Sequence, residues 1–329
     1  MLRVFLSFFL VILITGNLLA EKPSQSEIRV VSDLVLLDLE KFQELSFRIY
    51  HPTREGRYPV IIFSHSRGGD QTSQEGLNRF WANHGYVCIV PSHQDPEHFQ
   101  TETQKELKNA LVLQSIHKRV DDVRFILDSV KDIGNSILPH PVKLDVSRIG
   151  LAGEDWGAQV TQLLGGGILY QSKPDTPVSF EDQRIRAFLV VNPPREVEPF
   201  STRDNSWQAF FRPLMVVTGP AISQDSKASI QACFQQSPRG NKSLLTFQNS
   251  PGTTAPDRGN SKDSPFQALS FQETNPSVSP TKDSFPLKAQ STLNFWEAFL
   301  KGKSTDKKAL KAKASDPSFS QTATLKFRE

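Results

Sequence analysis

The stretch that decides the fold is I-G-L-A-G-E-D-W-G-A, residues 149–158. Its apolar first half suits a buried strand, and Gly153, Gly157 and Ala158 surround Asp155. Small residues at these positions permit a strained turn from a strand into a helix, with the central residue held at the tip. The helical pattern A-Q-V-T-Q-L-L follows directly. The stretch therefore predicts a strand–turn–helix unit that presents Asp155.

Apolar strands and helical patterns alternate on both sides of this unit. We predict strands at 44–50, 59–64, 86–91, 184–192, 212–219 and 243–247, the last strand of the chain, and helices at 73–84, 102–130 and 292–300. Within the long helix, Arg119 and Asp122 are placed to pair on the polar side. Strands separated by helices predict a three-layer α/β/α sandwich around a mostly parallel sheet, and the segment after the turn is too short for a cap domain.

The chain divides into a leader, a core domain and a tail. Residues 1–20 carry one arginine before an apolar run and end in alanine, as in a secretory signal peptide, and 21–40 form an N-terminal extension. We place the α/β domain at 41–300, with an irregular Ser/Pro-rich insertion at 249–288. Residues 301–329 are rich in lysine and predict a flexible, solvated tail. The leader implies a secreted or periplasmic protein, and retention of the leader as an anchor is the alternative.

Charge and cysteine content exclude several classes of protein. The formal net charge of +3 is too small to indicate a nucleic-acid partner. Cys88 and Cys233 are the two cysteines, so disulfides do not organise the fold, although one bridge between them is conceivable. We expect no cofactor, no metal and no stable membrane insertion after the signal is cleaved. We expect the partner to be a small-molecule or protein ligand, whose identity the sequence does not indicate.

Three stretches together resemble a known family of enzymes. F-S-H-S-R-G-G (63–69), H-G-Y-V-C-I-V-P-S-H (84–93) and S-R-I-G-L-A-G-E-D-W-G-A (147–158) are similar to bacterial α/β-hydrolases related to platelet-activating factor acetylhydrolase and dienelactone hydrolase. The resemblance implies the α/β-hydrolase fold, with 149–158 as the nucleophile elbow. It also implies an oxyanion hole made by the backbone N–H groups of Arg67 and Trp156.

The catalytic triad that this resemblance implies is incomplete. Asp155 stands where the family has a serine nucleophile, and Asp225 is the nearest residue to the position of the acid. The histidine is expected at 249–254, but all seven histidines precede the elbow: His51, His65, His84, His93, His98, His117 and His140. The family's chain order of serine, acid and histidine therefore cannot be completed.

The sequence is also compatible with catalysis in which Asp155 itself is the nucleophile. D-W-G is similar to the elbow of epoxide hydrolases and of haloacid or haloalkane dehalogenases, in which the aspartate attacks carbon and a histidine-activated water cleaves the ester. His93, oriented by Asp95, is the candidate for a substitute base. A metal site formed by His65, His93, Glu154 and Asp155, or a surrogate nucleophile at Ser64 or Ser66, is less favoured because no compact motif supports either.

We therefore expect a secreted protein with a hydrolase fold that has lost serine-esterase activity and acts by binding. The alternative is an active hydrolase of esters, epoxides or haloacids that uses Asp155 as its nucleophile and a non-standard base such as His93.

Overall fold

The computed structural model describes residues 11–14, 28–39, 43–95, 105–172, 175–194, 200–219, 224–247, 284–313 and 322–328. Strands and helices alternate through most of this length. The strands are β1 (Val11–Ile14), β2 (Ile28–Asp38), β3 (Gln43–Pro52), β4 (Gly56–Ser64), β5 (Val87–Pro91), β6 (Val142–Glu154), β7 (Leu169–Ser172), β8 (Asp175–Val178), β9 (Ile185–Val191), β10 (Phe200–Ser201), β11 (Leu214–Thr218), β12 (Lys242–Phe247) and β13 (Ala323–Arg328). The helices are α1 (Glu75–Asn83), α2 (Lys105–Ile137), α3 (Trp156–Leu164), α4 (Gln224–Gln236), α5 (Ser284–Phe299) and α6 (Ser304–Lys313).

The main sheet is mostly parallel at its centre and antiparallel at its edges. Its strand order is β1-β2-β3-β5-β4-β6-β9-β11-β12-β13. The six strands from β5 to β12 run parallel, whereas β1, β2 and β3 at one edge and β13 at the other pair antiparallel. The predicted mostly parallel α/β sheet is confirmed. Its central strands are buried on both faces, as their continuous apolar runs indicated.

Helices cover both faces of this sheet and give the three layers. Apolar residues of α2, α3 and α4 belong to one core cluster, and those of α1, α5 and α6 belong to the other. Cys88 lies in the second cluster and Cys233 in the first, and both are free thiols. The conceivable bridge between them is therefore not formed, because the sheet separates the two side chains.

The C-terminal segment differs from the prediction. We expected 243–247 to be the last strand and 301–329 to be a flexible tail, but α6 and β13 lie in that tail. β13 pairs along the whole of β12, with Leu244 opposite Lys326 and Leu245 opposite Leu325. The alternating residues of β13 bury Ala323 and Leu325 against the sheet, so it satisfies the backbone groups of an otherwise open edge.

The sequence patterns also did not predict several other elements, among them β1 and α4. β2 lies in the N-terminal extension and pairs with β3, with one irregularity between Val31 and Leu34. A small second sheet of order β10-β7-β8 is formed by strands on either side of β9. The predicted insertion at 249–288 lies outside the described residues except for its last five, which begin α5. Within the described part of the chain, no helix is both long and apolar enough to cross a membrane.

Candidate functional site

The turn between β6 and α3 has the strained geometry that its sequence predicts. Asp155 is at φ 51° and ψ −114°, a conformation that residues with a side chain rarely adopt. The flanking glycines permit it, because a Cβ on Gly153 would overlap the carbonyl group of Gly157, and one on Gly157 would overlap the carbonyl oxygen of Ser64. The elbow is thus packed directly on the end of β4, and Asp155 projects from its tip.

The carboxylate of Asp155 is held by two backbone amides. The N–H of Arg67 donates to Oδ2 at 3.3 Å, and the N–H of Trp156 also bonds to this carboxylate. Burial raises the pKa of Asp155, and the two amides act in the opposite direction. These amides are the pair that the sequence resemblance assigned to an oxyanion hole. In this structure they contact a carboxylate that belongs to the chain itself.

The loop that supplies the Arg67 amide is fixed by a buried arginine. Arg119 of α2 is 1% exposed and forms a bidentate pair with Asp95, through Nε at 2.9 Å and Nη2 at 2.5 Å. Its guanidinium also donates to the carbonyl oxygens of His65 at 2.6 Å and Ser66 at 3.2 Å. One side chain therefore ties α2, the residues after β5 and the loop after β4 together.

Beneath this loop lies a buried chain of hydrogen bonds from Ser64 through His93 to Asp122. Ser64 Oγ is 2.9 Å from His93 Nε2, and His93 Nδ1 is 2.9 Å from Asp122 Oδ2. The carboxylate accepts the Nδ1 proton, so Nε2 accepts the serine hydroxyl. Burial lowers the pKa of His93 well below its usual value, which keeps the ring neutral. The three residue types are those of a Ser-His-Asp triad, but Ser64 and Asp122 are completely buried, so no substrate reaches this serine.

His65 extends the same network. Its Nδ1 donates to the carbonyl oxygen of Ser66 at 2.7 Å, and its Nε2 accepts the backbone N–H of His93 at 2.9 Å. Burial lowers the pKa of His65 well below its usual value. Both ring nitrogens of His65 and both of His93 are thus engaged with groups other than Asp155.

Several predicted roles change as a result. Asp95 does not orient His93, because it pairs with Arg119, and Asp122 takes that place. The predicted pair of Arg119 with Asp122 is also wrong: Asp122 instead accepts from Lys118 at 3.1 Å and from Gln43 at 3.2 Å. Lys118 is four residues from Asp122 on the same helix, whereas Gln43, His93 and Asp95 lie far from their partners in sequence, so helical spacing could not reveal those contacts.

Glu154, directly before Asp155, belongs to a second buried polar group. Gln74 Nε2 donates to Glu154 Oε2 at 3.0 Å, and Lys288 of α5 donates to Gln74 Oε1 at 3.2 Å. Burial raises the pKa of Glu154, and the charge of Lys288 opposes that shift. This group anchors the elbow to α1 and α5. Within the described residues, no set of three or more His, Cys, Asp or Glu side chains is arranged to hold a metal ion.

The remaining predicted residue is Asp225, which lies in the first turn of α4. Its side chain is outside the described residues, as is the segment 249–254 in which the family's histidine was sought. Of the predicted site residues, the structure therefore brings together Asp155, Arg67 and Trp156, and it holds His93 in a separate network. Sequence reasoning treated Arg119 and Asp122 only as a pair on the polar side of an amphipathic helix and missed their contacts with the loop and with His93.

Comparison with known proteins bears on the loop and helix that support this site. Residues 41–131 match the family model of platelet-activating factor acetylhydrolase, isoform II. The matched segment contains β4, the loop with Arg67, and most of α2 with Arg119 and Asp122. It confirms the resemblance drawn from the sequence and supports a hydrolase-type fold, whereas the elbow itself lies beyond it. No curated protein matches the chain.

Proposed function

We propose that this chain is a hydrolase-fold protein that has lost serine-esterase activity and acts by binding a ligand at the elbow. The observation that carries the proposal is the contact of Asp155 Oδ2 with the backbone N–H of Arg67 at 3.3 Å. In an esterase, such amides stabilise the negative oxygen that develops on the substrate, which is worth about 2.7–4 kcal/mol for one donor. Here a carboxylate already fills that position, and it would repel a second negative oxygen.

The described residues supply no general base to Asp155, which supports the same proposal. General-base assistance is worth about 10²–10⁴-fold in rate. Among the described residues, no histidine nitrogen is hydrogen-bonded to Asp155, and the ring of His93 is committed to Ser64 and Asp122. Asp155 also cannot act as a serine does, because a carboxyl group has no alcohol whose deprotonation would give an alkoxide nucleophile.

The test is hydrolysis of short-chain nitrophenyl esters by the wild-type protein and by Asp155→Ala. We expect background rates from both. The matched control is Asp121→Ala, which removes an exposed carboxylate on α2. Turnover by the wild type that is lost in Asp155→Ala but kept in Asp121→Ala would overturn the proposal.

Binding is measured separately through Trp156, which adjoins Asp155. We expect nitrophenyl butyrate to quench the tryptophan emission saturably in the wild type, without release of nitrophenol. Trp156→Phe should lose this component of the quenching. Quenching that rises linearly with ester concentration in both proteins would mean that no binding site exists at the elbow.

A second candidate function is attack by Asp155 on an alkyl carbon, and one observation favours it. The Arg67 amide holds one carboxylate oxygen, Oδ2, as an aspartate nucleophile requires. With styrene oxide, the other oxygen would form a C–O ester bond as the epoxide C–O bond breaks, and the resulting alkoxide would take a proton from water. Intact-protein mass spectrometry should then show one adduct, located on Asp155 and absent from Asp155→Asn. Release of diol in many turnovers would identify an active hydrolase, and the absence of any adduct would exclude this function.

We also propose that the chain is exported through residues 1–20. The support is the sequence pattern of one arginine, an apolar run and a terminal alanine. N-terminal sequencing of the protein recovered from its native cell should begin at Glu21, so that the mature chain lacks β1 and its sheet begins at β2. A mature chain that keeps Met1 would contradict cleavage.

A further inference from the structure

The first strand of the main sheet belongs to the leader. β1 consists of residues 11–14, and these lie within the segment 1–20 whose removal on export is proposed above. β1 pairs antiparallel with residues 34–37 of β2. Among the described strands, β1 and β3 are the two neighbours of β2. Removal of the leader therefore makes β2 an edge strand of the mature chain, with the backbone N–H and C=O groups of its outer side open.

The two halves of β2 differ in how their outer edge is protected. The first half carries the exposed Arg29 and ends in a bulge, where the pairing with β3 shifts between Val31 and Leu34 and Asp33 has a φ of 56°. Charged side chains and bulges are the usual features that keep an edge strand from pairing. The second half, L-V-L-L at 34–37, has neither feature, and it is the half that β1 covers. Without the leader, this apolar edge is free to pair with another strand.

The strand that β2 pairs with in the structure indicates which partner the edge accepts. β1 is V-I-L-I, a run of four aliphatic residues in antiparallel register. The segment 34–37 of β2 has the same character, and it alternates between the buried Leu34 and Leu36 on the core face and the half-buried Val35 and Leu37 on the other face. A second copy of the mature chain therefore offers an aliphatic strand much like β1, at an edge that is open for the same reason.

We propose that the mature chain forms a dimer in which β2 pairs antiparallel with β2 of a second copy, and that the leader blocks this pairing before it is cleaved. The dimer rests on the proposed export. A two-fold axis that relates antiparallel strands is perpendicular to the sheet, so each face continues across the interface and the pairing is centred on one residue. Centred on Leu36, the pairing uses the regular segment 34–38 and places Val35 opposite Leu37 of the second copy. One strand pair makes a small interface, so the dimer is weak and depends on concentration.

The experiment is sedimentation equilibrium of two chains produced separately, the mature chain that begins at Glu21 and the full chain that begins at Met1. We expect the mature chain to show a monomer–dimer equilibrium and the full chain to stay monomeric, because β1 covers the edge in the full chain. N-terminal sequencing of the native protein tests export separately from this comparison. A mature chain that stays monomeric at every concentration would overturn the dimer and leave the proposed export standing.

Two leucine substitutions in the mature chain test the proposed contact. Leu37→Lys places a charge opposite Val35 of the second copy, and the symmetry of the dimer introduces it twice. We expect this variant to dimerise about tenfold more weakly. Leu39→Lys is the matched control, because Leu39 is 57% exposed and follows the paired segment. Equal effects of the two substitutions would overturn the proposal, since the interface would then not depend on β2.

Amide hydrogen exchange of the unmodified mature chain locates the interface without any substitution. Exchange within residues 34–38 should slow as the protein concentration rises, whereas exchange within 28–31 should stay the same. Dimerisation without this protection would overturn the proposal, because it places the interface elsewhere. A monomeric mature chain whose residues 34–38 are protected only by an added V-I-L-I peptide would also overturn it, since the edge would then accept a strand but not a second copy.

Discussion

The buried hydrogen bonds that link Ser64, His93 and Asp122 allow a quantitative test of how the loop at the candidate site is supported. Asp122→Ala removes the acceptor of three hydrogen bonds, from His93, Lys118 and Gln43. It leaves the Nδ1 proton of His93 buried without a partner. A buried donor left without an acceptor costs about 1–3 kcal/mol, and a hydrogen bond to a charged acceptor contributes about 1.5–3 kcal/mol. We therefore expect Asp122→Ala to lower the free energy of unfolding by about 2–4 kcal/mol.

Two further substitutions separate this effect from others. Asp122→Asn keeps an acceptor for Lys118 and Gln43, and His93 can change tautomer, so that Nδ1 accepts and Nε2–H donates to Ser64. We expect a smaller cost, about 1–2 kcal/mol. Asp121→Ala, at the exposed neighbouring position, should change stability by no more than about 0.5 kcal/mol.

The assay is urea unfolding followed by tryptophan emission, with the slope compared among variants to verify that they unfold in the same way. A cost for Asp122→Ala within about 1 kcal/mol of that for Asp121→Ala would refute the reasoning, since loss of a buried acceptor costs more than loss of an exposed carboxylate. Equal costs for the alanine and asparagine variants would refute the role assigned to the tautomer change.

Three other predictions concern the elbow and its loop. Gly157→Ala should cost more than about 3 kcal/mol in urea unfolding, because its Cβ would overlap the carbonyl oxygen of Ser64. Burial raises the pKa of Asp155, so the native state holds this proton more tightly than the unfolded state does. The stabilisation from this proton is complete at pH values below the pKa of Asp155 in the unfolded state. It is lost as the pH rises through the pKa of Asp155 in the native state. The free energy of unfolding of the wild type, relative to that of Asp155→Asn, should therefore fall as the pH rises. Urea unfolding of both proteins at acidic and at neutral pH measures this difference. Arg119→Gln should speed amide hydrogen exchange at Arg67 severalfold, because Arg119 bonds to the carbonyl oxygens of His65 and Ser66 in that loop.

Each of these predictions has a matched control. Gly134→Ala places a Cβ 3.0 Å from the flexible side chain of Leu144, so it should cost much less than Gly157→Ala. Arg124→Gln removes another arginine of α2, one that bonds to Phe180, and should leave exchange at Arg67 unchanged. A stability difference between the wild type and Asp155→Asn that does not vary with pH would contradict the pKa direction.

The turn at Asp155 shows how much a local sequence can determine. Gly153 and Gly157 are required wherever a helix packs this closely on the preceding strand, and their spacing can be read without any distant contact. The buried central strands were predictable for a similar reason, because their apolar runs suit no exposed position. The α/β sandwich and the meeting of Asp155 with the amides of Arg67 and Trp156 follow from these features and from the family resemblance.

The partners of buried charges were decided only by the tertiary structure. Sequence spacing predicted that Asp95 pairs with His93 and that Asp122 pairs with Arg119. In the structure α2 packs under the loop, so that Asp95 pairs with Arg119 and Asp122 pairs with His93. β13 looked like a solvated tail because lysines dominate the sequence before it, whereas the open edge of β12 provides the hydrogen bonds that order it. A sequence records which residues prefer burial or a tight turn, since these preferences are local. The partner that each polar group finds depends on which distant segments the sheet brings together, and that depends on the whole fold.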